Sequence, residues 1–209
     1  MLLTSFRRLV RDTSGSLLLT KWKQADKENV VHVENFMIPE ILRIHNDGFE
    51  NNIPGTLIRY SKKLRKIFYV IKSQDMTVGY CLYYIKPVLS LRHFKKKFII
   101  YSIAIDQNFR SKGFGEKLLR ESIKEMRLNG ISSVLLYVNV NNLPAINLYE
   151  KTGFRIIKEV KNVCGSDETC YEMKLKLAFL MAVGLLQKCL AESILDNDVI
   201  MTTKLILFN

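Results

Sequence analysis

Residues Arg110-Ser111-Lys112-Gly113-Phe114-Gly115 constrain the fold of this 209-residue chain more than any other segment, because of what flanks them. Before them runs an apolar, strand-like stretch, 98–105. After them Phe114, Leu118, Leu119, Ile123 and Met126 recur at helical spacing on one face. A strand, a glycine-bearing turn and a helix, in that order, present unpaired backbone N–H groups at a helix start. Glycine permits close approach there, and the helix macrodipole favours an anion. Taken alone, the segment reads equally as an anion-binding turn or an ordinary one.

The flanking pattern predicts a sheet. Residues 30–33 read as a short strand, followed by a helix with Pro39 in its first turn. That helix turns Ile38, Ile41, Leu42 and His45 inward and ends near Gly48. A second helix is expected over 54–63. Stretches 67–71 and 78–85 form a hairpin through Ser73-Gln74-Asp75, and a basic loop, 87–96, leads to the strand at 98. The helix after the glycine turn stops at Asn129-Gly130. Residues 134–140 are the next strand, and Asn142 caps a helix with Pro144 in its first turn and Gly153 at its end. Stretches 154–160 and 169–175 close as a hairpin around Gly165-Ser166-Asp167. A run of strands, then strands alternating with helices, predicts an α/β chain of the α+β type, a mixed sheet with helices on both faces.

The formal charge of +12 is concentrated: residues 59–66 hold five basic residues and no acid, and 92–97 hold four more. Such charge attracts nucleic acid, a ribosome or an anionic small molecule. No aromatic interleaving points to single-strand binding. Cys81, Cys164, Cys170 and Cys189 show no metal-ligand spacing, so no metal is expected. Cys164 and Cys170 read as free thiols, the alternative being a pair across the last hairpin. The longest apolar run, 177–186, is about half the ~20 residues a membrane-spanning helix needs. Arg7, Arg8 and Arg11 faintly resemble an organelle presequence, but Asp12 and Asp26 argue against one. The expectation is a soluble, cytoplasmic protein. A basic extension occupies 1–28, a folded domain 29–176, and an apolar extension 177–209 that packs on the domain or forms a homodimer interface. His45 is expected to be a satisfied core histidine, and neither His32 nor His93 is assigned chemistry.

Two signatures stand in order along the chain. The first is Ser102-Ile103-Ala104-Ile105-Asp106-x-x-Phe109-Arg110-x-x-Gly113-x-Gly115. The second is Asn142-x-x-Ala145-Ile146-x-Leu148-Tyr149-Glu150-Lys151-x-Gly153-Phe154. Together they resemble the cofactor motifs of the GNAT superfamily of acetyl-CoA-dependent N-acetyltransferases, in particular its RimI-type and archaeal protein N-terminal acetyltransferase branch. The resemblance implies a mostly antiparallel twisted sheet splayed between its fourth and fifth strands. Acetyl-CoA is then the co-substrate. Ile103, Ala104 and Ile105 would pair through their backbone with the pantetheine arm, and one N–H would polarise the thioester carbonyl. Arg110, Ser111, Lys112, Gly113, Phe114 and Gly115 would cradle the pyrophosphate. Asn142 would cap its helix and touch the pantetheine. Tyr149 would act as acid, donating a hydrogen bond to the departing CoA sulfur; the plainer alternative is a tyrosine packed on the sheet.

The acceptor side departs from that pattern. Relatives place a base where Tyr137 and Ile99 stand here, and isoleucine does no proton chemistry. Tyr137 remains a candidate base or cleft-lining residue. Glu50 lies in a segment resembling the acceptor-lining loop of the archaeal enzymes, so it is a second candidate base. A tyrosine pair that grips peptide substrates is replaced by Val163-Cys164. The expected reaction is acetyl transfer to a primary amine by direct attack in a ternary complex, with a protein α-amine as acceptor. Alternatives are a small amine, a lysine, or an acyl-CoA-binding or ribosome-associated module with little catalysis.

Overall fold

The computed structural model describes residues 19–49, 54–89 and 94–177. Glu50, His93, Cys189, the arginines at 7–11 and the apolar extension from 178 lie outside the described residues. The strands are β1 Val30–His32, β2 Phe68–Ser73, β3 Met76–Leu89, β4 Phe94–Ile105, β5 Ser133–Asn139, β6 Arg155–Lys161 and β7 Thr169–Lys176. The helices are α1 Ile38–Gly48, α2 Pro54–Lys63, α3 Phe114–Leu128 and α4 Leu143–Lys151. All seven strands form one sheet in the order β1-β2-β3-β4-β5-β7-β6. Only the β4–β5 pair is parallel.

Two apolar layers sandwich this sheet. Met37, Ile41, Ile44 and Leu57 from α1, its lead-in turn and α2 pack on Phe68, Val70, Tyr80 and Leu82. Leu118, Leu119, Ile123 and Met126 of α3, with Ile146 and Tyr149 of α4, pack on the opposite face against Tyr69, Ile71, Cys81, Tyr83 and Val134. Covered on both sides, Phe68–Ile71 is an unbroken buried run, not an alternating one. The β2–β3 hairpin turns at Gln74 and Asp75, whose φ values of 48° and 65° suit the twist of a two-residue connection.

β4 and β5 part almost at once. Phe98 faces Val134 and Ile99 faces Leu135, and the pairing ends there. On its other side β4 stays bound to β3 as far as Gly79↔Ile105. The register slips between Leu82↔Ser102 and Tyr83↔Ile100, so Tyr101 is an extra residue, a bulge that bends the strand. The bulge brings both Tyr101 and Ser102 to the α1–α2 side. Tyr101 meets the rings of Tyr60 and Tyr84 edge-on. Ser102 Oγ lies 2.9 Å from Tyr80 Oη, which lies 2.6 Å from His45 Nδ1, so His45 is a satisfied core histidine.

Three expectations change. The basic stretch 87–96 is not a loop throughout: β3 runs to Leu89 and β4 starts at Phe94, in register from Lys86↔Lys97 to Leu89↔Phe94. Pro87 is tolerated because β2 pairs β3 only as far as Leu82, leaving that side of Pro87 without a partner strand among the described residues. Ordered packing also begins before residue 30. Leu19 and Trp22 are buried in the α3-side core, and Trp22 stacks on Phe98. The segment is held by Glu125 of α3, which accepts from Trp22 Nε1 at 2.6 Å, the Ala25 N–H at 3.1 Å, Tyr69 Oη at 3.1 Å and Lys27 Nζ. His32 Nε2 lies 2.9 Å from the same carboxylate. Finally, Cys164 and Cys170 are joined as a disulfide, their Cα atoms 6.4 Å apart at the β6–β7 turn. Cys81 is a buried free thiol.

Candidate active site

The splay leaves the β5-facing edge of β4 unpaired from residue 100 onward, which places Ile103, Ala104 and Ile105 on an open strand edge, each half-buried. β3 can follow β4 to its end because position 79 is glycine. A Cβ there would meet Ile105 Cδ1 at 2.3 Å and the Ala104 carbonyl oxygen at 2.8 Å. The chain then turns through a short 3-10 segment, Gln107–Phe109, capped by Asp106, which accepts from the Asn108 N–H at 2.8 Å. Asp106 is buried and bound to Arg43 of α1; the Arg43 guanidinium, with the Asn108 N–H, holds its carboxyl below the ordinary carboxylate range.

The glycine turn holds two residues with positive φ. Ser111 (φ 59°) and Gly113 (φ 82°) are left-handed, an arrangement that directs successive N–H groups to one side. Gly113 caps α3 without a side-chain hydrogen bond, and no side chain among the described residues bonds the helix's first N–H groups. A Cβ at Gly113 would meet nothing within 4 Å, so the approach is open. Gly115 lets α3 sit close to α4: a Cβ there would lie 3.1 Å from Leu148. Arg110 is exposed, its Nε donating to the Ile105 carbonyl at 3.1 Å. The Lys112 ammonium lies 5.4 Å from the Phe109 ring centroid. Glu116, the acid of the first turn, is neutralised by Lys151 at 2.8 Å and Arg120 at 2.9 Å. An exposed turn with free amides, two flanking cations and one compensated acid fits a diphosphate.

Asn142 caps α4, its Oδ1 accepting from the Ala145 N–H at 3.2 Å. α4 carries Tyr149, 7% exposed, its ring 5.8 Å from Phe154. Burial, with the nearby Cys81 thiol adding to it, pushes the Tyr149 phenol well above its ordinary pKa. Tyr149 packs in the α3-side core that also holds Cys81, the β3 partner of Ile103. Its hydroxyl has no hydrogen-bond partner among the described residues.

Tyr137 lies on β5, half-buried, two residues beyond the last β4–β5 pair. Its hydroxyl donates to Glu172 Oε2 of β7 at 3.5 Å. Burial first, then Glu172, raise its pKa. Glu172 carries no motif signal, since it lies 35 residues from Tyr137 in sequence and meets it only through the β5–β7 register. Aligning the two strands of the sheet is the one sequence operation that would have found it. The structure therefore brings together the β4 edge, the glycine turn, the α4 cap and Tyr149, with Tyr137 across the split.

The same arrangement recurs among known proteins. The sequence profile of the acetyltransferase (GNAT) family matches residues 38–154. An N-alpha-acetyltransferase of Sulfolobus acidocaldarius is 34% identical over 142 residues, 65% of this chain and 84% of the relative. The structure of Ard1 from Thermoplasma volcanium superposes with a TM-score of 0.62 at 22% identity, covering 71% of this chain and 97% of that one. Ribosomal-protein-S18-alanine N-acetyltransferase from Escherichia coli superposes at 0.58 and 20% identity, covering 71% and 93%. The open sheet, split between parallel strands and with a glycine turn entering a helix at the split, has the fold of these structures. This chain belongs to the GNAT acetyltransferase family, and it is an acetyl-CoA-dependent N-acetyltransferase.

Proposed function

We propose that the chain acetylates protein N-terminal α-amines, with acetyl-CoA laid along the β4 edge and attack occurring in a ternary complex. The observation that carries this reading is the strand edge at Ile103–Ile105 running directly into the amide-rich turn at Arg110–Gly115. The name and 84% coverage of the Sulfolobus acidocaldarius relative support an α-amine as acceptor. So does the chemistry, because an α-amine with a reference pKa of ~7.7–8.0 is partly neutral at pH 7, whereas a lysine amine at ~10.4 is mostly protonated.

In this reading the turn amides, with Arg110 and Lys112, hold the diphosphate, and an N–H of Ile103–Ile105 meets the thioester oxygen where negative charge develops. The amine nitrogen forms its bond to the acetyl carbon as the carbon–sulfur bond breaks. Tyr149 donates a hydrogen bond to the departing sulfur; its raised pKa keeps the phenol protonated, so it stabilises the thiolate without ionising. Tyr137 flanks the acceptor, and Glu50 is the second candidate base. The setting proposed is the cytoplasm, with the basic run 59–66 as the surface offered to a ribosome. No helix among the described residues is long and apolar enough to cross a membrane.

The test uses two peptide sets with acetyl-CoA: lysine-free peptides with a free α-amine, and α-blocked peptides carrying one lysine. Mass spectrometry should find acetyl groups only in the first set. Modification confined to lysine, or no CoA release with either set, refutes the reading.

A further inference from the structure

The geometry points to Glu172 as the group that receives the acceptor amine's proton, passed to it through the hydroxyl of Tyr137. The inference rests on the proposed α-amine acetylation and adds the proton's route to it.

Val134, Leu136 and Val138 face the α3-side core, so Tyr137, between them, faces the α1 side of the sheet. It stands where β5 has already parted from β4, across the split from the bulge. Its register partner on β7 is Glu172, reached by the phenol at 3.5 Å, a length usual in a site before substrate draws it together. The Glu172 side chain is 15% exposed. The charged and titratable groups facing it are Tyr137 from β5, Lys158 from β6 at 3.7 Å, and Lys174 two positions along β7 on the same face. Among the described residues, the other carboxylates near the split are engaged elsewhere: Asp106 with Arg43, and Glu168 with Asn139 Nδ2 at 2.9 Å. Among the described residues, Glu172 is therefore the carboxylate that Tyr137 couples to the cleft.

The chemistry needs such a group. As the nitrogen–carbon bond forms, the nitrogen gains positive charge and must lose a proton. That proton moves to the Tyr137 oxygen while the phenol's own proton moves to Glu172 Oε2. The carbon–sulfur electron pair leaves with the sulfur, under the Tyr149 hydroxyl. Glu172 then releases its proton to water, leaving acetyl amide, CoA thiolate and one proton. Tyr137 ends as it began, a neutral phenol. Burial and the neighbouring Glu172 disfavour the phenolate, so the two proton transfers occur together and no tyrosinate forms.

The test compares wild type, E172Q, Y137F and the double variant on one α-amine peptide across pH, with CoA affinity by calorimetry as the check on folding. E172Q should lower kcat ~10²-fold near neutral pH, a general-base-sized loss, and Y137F should do the same. The double variant should be no slower than either single, because both interrupt one route. The deficit should shrink as pH rises, because solvent hydroxide can then take the nitrogen's proton in place of the relay. CoA affinity should not change. A loss equal at every pH, additive losses, or an E172Q enzyme with the wild-type profile overturns the relay. Y137F reads the same step if E172Q does not bind CoA. A wild type that releases no CoA with any α-amine peptide instead overturns the proposed function, and the relay falls with it.

Discussion

Replacing Tyr149 by phenylalanine removes one oxygen from the centre of the proposed site and leaves the packing intact. The ring lies buried 5.8 Å from Phe154, contacts that phenylalanine preserves. No described group is bonded to the hydroxyl, so none loses a partner, and stability should move by no more than ~0.5 kcal/mol. The catalytic loss is larger. A hydrogen bond to a charged group contributes ~1.5–3 kcal/mol, and at ~1.36 kcal/mol per decade its removal slows sulfur departure ~10- to 150-fold. The raised pKa keeps the phenol protonated throughout, so the ratio of wild-type to variant kcat should be flat from about pH 6 to about pH 9. CoA release followed with a thiol-reactive chromophore at saturating acetyl-CoA gives kcat; a melting curve and a CoA titration accompany it. Wild-type kcat in Y149F, or a loss matched by a lowered Tm, refutes the role given to Tyr149.

Two further substitutions follow from the packing. Glu125→Ala leaves the indole of Trp22, Lys27, His32 and Tyr69 without their shared carboxylate, and removing one partner of a buried ion pair costs about 3–5 kcal/mol. Chemical denaturation should show that loss, with residues 19–28 becoming protease-sensitive; unchanged stability would refute the anchoring role. Burial pushes the Glu125 carboxyl up, but hydrogen bonds from His32, Lys27, Trp22 and the Ala25 N–H outweigh it and hold the pKa at about 2. The folded value lies below the ordinary 4.5, so this stabilisation is complete above about pH 4.5 and fades as pH falls toward about 2. Wild type should lose Tm through that window more steeply than E125A, and parallel curves would refute the linkage. Gly79→Ala forces a methyl against the Ala104 carbonyl oxygen at 2.8 Å, displacing the β4 edge at about 1–3 kcal/mol. Its KM for acetyl-CoA should rise while the acceptor KM holds; the reverse pattern would refute the edge as the cofactor's site.

Local signals carried the parts of this molecule that were legible in the sequence. The glycine turn before α3, the Asn142 cap and the apolar face of α3 are each set by a few neighbouring residues, and the structure shows them as expected. What escaped depends on contacts between distant segments. The lysine-rich stretch after Pro87 reads as a loop, yet its backbone is held by β3–β4 pairing that no composition reveals. Residues 19–28 offer only Leu19 and Trp22 as large apolar anchors, and much of their remaining hold comes from Glu125, Lys124 and Asn129, about a hundred residues away. Glu172 is silent in sequence for the same reason. The disulfide turned on the register of the last hairpin, which spacing alone left open.

The most direct measurement is amide hydrogen exchange with and without CoA. The account predicts slowed exchange at residues 103–105 and 111–115, with β1 and β2 unaffected. Unchanged exchange along that edge and turn while CoA is bound, or protection appearing elsewhere, would contradict it.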